Sequence, residues 1–105
     1  MKIVFDQGTP VPLRRHLAGH SVTTVHELGW SSLSNGILLD AAEQAGYELL
    51  ITTDQNLRYQ QSLTHRNLAI LVLLSTSWPR ISLRLDAIRT AVDQISAGDY
   101  REIPI

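Results

Sequence analysis

The sequence predicts a three-layer α/β domain, with a mainly parallel sheet of four to five strands flanked by helices. Three observations carry this expectation. Short apolar runs alternate with helical periodicity four times along the chain, the pattern of parallel strands joined by crossover helices. The run from Leu68 to Leu74 is apolar at every position, as in a strand buried on both faces. The 105 residues contain no linker, internal repeat or low-complexity stretch, so one domain over 1–105 is expected.

Each element has its own local reason. Ile3-Val4-Phe5 reads as a buried strand that stops at Asp6 and enters the turn-forming Gln7-Gly8-Thr9-Pro10. Thr9 is suited to cap a first helix with Pro10 at its first position. Leu13, His16 and Leu17 follow at helical spacing, and Gly19 ends that helix. Ser21 to Val25 is rich in Val and Thr and forms a second strand, with a loop over Glu27 to Ser32. Ser34 or Asn35 caps a second helix that reaches Ala45 and is stopped by Gly46. Its apolar stripe is Leu38, Ala41, Ala42 and Ala45. Leu49 to Thr53 is a third strand ending at Asp54, a short helix covers Gln55 to Ser62, and Leu68 to Leu74 is the fourth strand. After Trp78-Pro79, the spacing of Ile81, Leu85, Ile88, Val92 and Ile95 predicts one long amphipathic helix. The tail from Tyr100 to Ile105 is an edge strand or a docked arm.

Composition narrows the chemistry. Nine Lys and Arg stand against ten Asp and Glu, so the chain has no bulk electrostatic claim on nucleic acid. With no Cys, thiol nucleophiles, iron–sulfur centres, Cys-type zinc sites and disulfide scaffolds are excluded. The longest apolar run, seven residues, is too short to span a bilayer. Met1-Lys2 leads into a strand rather than a signal-peptide pattern. A soluble cytoplasmic domain without a membrane partner is expected.

In an open parallel sheet, function gathers beyond the carboxyl ends of the strands, where strand order reverses. Asp6 after the first strand and Asp54 after the third both lie at such ends. With strands ordered 2-1-3-4, they become neighbours. Two like charges in one cleft need a cation or a shared proton, and all-oxygen ligands favour Mg2+ or Mn2+. Such a cation polarises a phosphoryl oxygen and activates water, so phosphodiester hydrolysis is the natural reaction. Either Asp alone is as well explained by an N-cap or an Asx turn; the repeated strand–Asp–turn–helix pattern is what points to a site. Glu27, at the same rim, is a reserve ligand. Asp40 and Glu43 lie off the apolar stripe, on a solvated face.

Gln7, Thr52, Thr53, Gln55, Asn56 and Arg58, polar groups at or beside strand ends, are candidate substrate contacts. Arg14 and Arg15 are candidates to extend a phosphate-binding rim. His16, His20, His26 and His65 show no metal-binding pairing, because Gly19 falls between the first two. Trp30 and Trp78 read as packing residues. There is no GxSxG elbow, Walker loop or GxGxxG. The scarcity of Lys, with Lys2 alone, counts against a receiver-like phosphoacceptor at Asp54.

The segments KIVFDQGTPVPLRRHLAGHSVTTV, GWSSLSNGILLDAAEQAGYELLITTDQNLRYQQ and LAILVLL resemble the small PIN-like domains related to the C-terminal nuclease-type domain of the Mut7 group. The resemblance covers roughly residues 2–76, with FDQGTP and TTDQNL its most specific parts. It implies a metal-dependent ribonuclease with Asp6 and Asp54 as acidic ligands and RNA as substrate. It also implies a small antitoxin protein as partner if the chain is a toxin, and a homodimer that builds the RNA channel. The chain departs from the family pattern in two places. Asn35, Gly36 and Ile37 stand where an acidic residue opens the second helix, and Asn56 stands two residues after Asp54 in place of a second Asp. Asn35 and Asn56 then become neutral ligands, and Mg2+ affinity falls accordingly. The alternative is a catalytically weakened PIN-like fold acting as a protein- or RNA-binding module.

Overall fold

Five parallel strands form one sheet in the computed structural model, which describes residues 1–60, 63 and 66–105. They are β1 (Lys2–Phe5), β2 (Ser21–Thr24), β3 (Leu49–Thr52), β4 (Ala69–Leu73) and β5 (Tyr100–Ile103), in the order β2-β1-β3-β4-β5. Every neighbouring pair is parallel. The tail is therefore an edge strand. The order reverses between β1 and β3, the switch point of a doubly wound sheet. Among the described residues, four helices connect the strands: α1 (Asn35–Gln44), α2 (Leu57–Gln60), α3 (Trp78–Ile81) and α4 (Leu85–Gln94). A 3-10 turn over Val11–His16 links β1 to β2.

Strand alternation divides the core in two. Ile3, Phe5, Leu49, Ile51, Leu71 and Leu73 point to one face, where Leu13, Ile81, Ile88 and Val92 cover them. Val4, Leu50, Ile70 and Val72 point to the other, under Leu38, Leu39, Ala42 and Leu57. β3 and β4 are buried at every position. Their apolar runs are what a sheet covered on both faces requires.

Four local expectations are corrected. Thr9 does not cap a helix: its buried hydroxyl donates to the Ile51 carbonyl at 3.0 Å, and Pro10 takes the cap position. The segment that follows is a tight 3-10 turn rather than an α-helix, closed by Leu13 N–H to Pro10 O and Leu17 N–H to Arg14 O. The buried stripe of α1 is Leu38, Leu39 and Ala42, with Ala45 exposed at the helix end. The long final helix is broken into α3 and α4, with Leu83 84% exposed between them. The part of the expected helix at 55–62 that falls on 61 and 62, like His65, lies outside the described residues. No helix among the described residues is long and apolar enough to cross a membrane.

Candidate active site

The sheet itself positions the two carboxylates. Asp6 stands one residue beyond β1, and its N–H donates to Ile51 O at 2.9 Å, extending the ladder to β3. Asp54 stands two residues beyond the end of β3. Thr52, the last residue of β3 and fully buried, joins them. Its hydroxyl donates to Asp6 Oδ2 at 2.8 Å and accepts the Asp54 N–H at 3.1 Å. Each carboxylate is also held by its own turn, with Gln7 N–H on Asp6 Oδ1 at 2.8 Å and Asn56 N–H on Asp54 Oδ1 at 2.9 Å. Asn35, at the first turn of α1, donates its amide to Asp54 Oδ2 at 3.2 Å.

Gly8 makes the crossing of the two loops feasible. Thr9 N–H bonds back to Asp6 O at 3.1 Å, and Gly8 sits at the turn's third residue with φ +93°, a conformation natural to glycine. A Cβ there would stand 2.9 Å from Thr53 Oγ1. Thr53 is thus in contact with the Asp6 turn, while Gln7, Gln55 and Asn56 are exposed at the rim.

Burial pushes the Asp6 carboxyl above its ordinary pKa. Hydrogen bonds from Thr52 and Gln7 oppose that shift, and the neighbouring Asp54 charge adds to it. A cation shared by the two carboxylates would relieve both the burial and the repulsion.

Beside Asp6 opens a cleft of about 490 Å³, lined among others by Gln7, Thr9, Val11, Arg14, His26 and Glu27. Glu27 is spent on structure here. It accepts a forked pair of bonds from Arg14 at 2.8 and 3.3 Å and the Thr24 N–H at 2.9 Å. In return its own N–H donates to Thr24 Oγ1. The Arg14 guanidinium and then the Thr24 N–H hold the Glu27 carboxyl down at about 2.

The remaining candidates scatter. Arg15 lines a separate hollow with His16, His20 and Arg89. Arg58 turns to β5, 3.7 Å from Glu102 and over the Tyr100 ring. Asp40 and Glu43 clasp Arg66 at 2.8 and 3.8 Å, so neither supplies the carboxylate that Asn35 lacks. Trp30 packs edge-on against Tyr47, and Trp78 lies 5.8 Å from His16. Lys2 reaches Ala45 O and the face of Tyr47, at the opposite end of the sheet from Asp54. Among the described residues, no group of three or more His, Asp or Glu gathers as a metal cage. No protein-family model, curated protein or solved structure matches this chain.

Proposed function

We propose that the protein is a Mg2+- or Mn2+-dependent ribonuclease of the PIN-like type, hydrolysing RNA phosphodiesters in the cytoplasm. The observation that carries this reading is the joining of Asp6 and Asp54 at the sheet's switch point through the buried Thr52 hydroxyl. The donor set suits a hard cation: two carboxylates and rim amides, all oxygen, with Mg2+ commonly held by one or two carboxylates plus water. Such a cation supplies Lewis acidity to a phosphoryl oxygen and a source of hydroxide near neutral pH.

The chain's own residues divide the remaining work. Asp6 and Asp54 hold the cation. Thr52 keeps its proton on Oγ1, directed at Asp6 Oδ2, and so fixes the spacing of the two carboxylates. Asn35 braces Asp54 through its amide N–H, and Asn56 does so through its backbone N–H. Arg14, forked by Glu27 and facing the cleft, presents a fixed guanidinium to an RNA phosphate, with Gln7 beside it. Exposed Val11 and Ile37, on the cleft wall and in the first turn of α1, support a small antitoxin or a second copy as a partner of the rim.

A second reading is favoured by one specific observation. Only two carboxylates meet at the site among the described residues, which supports a PIN-like fold that binds RNA or protein without cutting. Cleavage of a single-stranded RNA in Mn2+ separates the two. A nuclease loses cleavage by on the order of 100-fold or more on Asp54→Asn while keeping its thermal midpoint. A binding module shows no cleavage that Asp54→Asn alters.

A further inference from the structure

The hollow that takes Arg15 away from Asp6 has a chemistry of its own. It lies between the end of the 3-10 turn and α4, has a volume of about 200 Å³, and is lined by Arg15, His16, Leu17, His20, Arg89 and Asp93 among others. That is below the roughly 300–1,000 Å³ of pockets for drug-sized ligands, and room for one small polyatomic ion. Two guanidiniums face Asp93 in the lining, and a second carboxylate, the fully exposed Asp86, stands 3.4 Å from Arg89 Nη1.

Its cationic groups are held in place by the turn and by α4. Arg89 donates Nε–H to His16 O at 2.9 Å, which ties α4 to the turn and fixes the guanidinium plane, and its Nη1 donates to Asp86 Oδ1 at 3.4 Å. Arg15 is exposed, and its single bond among the described residues is a long Nε–H to His16 Nε2 at 3.5 Å. His20 Nε2 stands 3.8 Å from Asp93 Oδ1, beyond hydrogen-bond distance, and its Nδ1 is buried without a partner among the described residues. Leu17 and Val92 give an apolar wall, and both are buried. Planar forked donors beside imidazoles form the set that recognises a tetrahedral oxyanion. We propose that this hollow binds a phosphoryl group, as inorganic phosphate or the terminal phosphate of a monoester, at a site separate from Asp6 and Asp54.

The test is a calorimetric titration of the full chain with inorganic phosphate, without divalent metal and against chloride at matched ionic strength. Saturable binding is expected. Arg15→Gln, a change at an exposed residue, should weaken it about tenfold or more, as loss of a charge-assisted contact does, while Asp6→Asn leaves it unchanged. In proton spectra the His16 and His20 ring signals should move with saturation and that of His26, on the other cleft, should stay. A 5′-phosphorylated dinucleotide that competes, where its unphosphorylated form does not, assigns a monoester; competition by neither assigns free phosphate. Absence of saturable binding, binding indifferent to Arg15→Gln, or equal competition by the unphosphorylated dinucleotide would each overturn the proposal. None of these readouts depends on RNA cleavage.

Discussion

Burial works against the Asp6 carboxylate, and that has a measurable sign. Its folded pKa lies above the unfolded value of 3.8. Between the two the folded chain holds more protons than the unfolded chain, so stability falls as pH rises through that window. Asp6→Asn is therefore expected to raise the thermal midpoint at pH 7 and to give no gain below pH 3.8; an unchanged or lowered midpoint at pH 7 would contradict this. Thr52→Val strips the bridge between Asp6 and Asp54 at a fully buried position. It should cost about 1–3 kcal/mol in denaturant unfolding and weaken Mn2+ binding about 10–100-fold, with Thr52→Ser restoring most of both. Glu27 illustrates what the sequence withholds at this scale. Its place at the rim was legible from its position after β2, but its bond to Arg14 depends on the path of the 3-10 turn. Glu27→Gln should accordingly leave Mn2+ binding unchanged in the same titration.

Among the elements, the strands were the most legible, because burial on both faces forces runs such as Leu49 to Thr52 and Ala69 to Leu73 to be apolar throughout. The turn after β1 was misread. Thr9 has the chemistry of a helix cap, yet its hydroxyl is drawn to the Ile51 carbonyl on a strand distant in sequence. The final helix was misread for a different reason. Ile81, Leu85 and Ile88 keep a helical apolar spacing across a break, because Arg84 N–H closes on Ile81 O and the Ser82 hydroxyl on Pro79 O. Periodicity cannot register a turn that preserves it, and the break leaves Leu83 exposed. The interlock of the Asp6 turn with Thr53 yields a further prediction. Gly8→Ala places a Cβ at positive φ and against Thr53 Oγ1, and should cost about 1–2 kcal/mol from the backbone alone. Equilibrium unfolding of the variant measures this, and an unchanged midpoint would show that the loop relaxes freely.

At the scale of the whole molecule, strand order converts two Asp residues far apart in sequence into one site. β1 and β3 pair in register from Ile3 with Leu49 to Phe5 with Ile51, so the residues just past their ends meet. The two acid positions were legible because each follows an apolar run, and the order 2-1-3-4 on which their meeting depends is the order found, with β5 added at the edge. The hollow of Arg15, His16, His20, Arg89 and Asp93 was not legible, since α4 supplies Arg89, Val92 and Asp93 to it from the far end of the chain. Everything proposed for the site depends on joint binding of a divalent cation by Asp6 and Asp54. Its most direct test is calorimetric titration of Mn2+ into the wild type and into the Asp6→Asn/Asp54→Asn double variant, each first shown to be folded. One saturable site per chain is expected in the wild type and none in the double variant. Equal binding by both, or no wild-type binding at millimolar Mn2+, would contradict it.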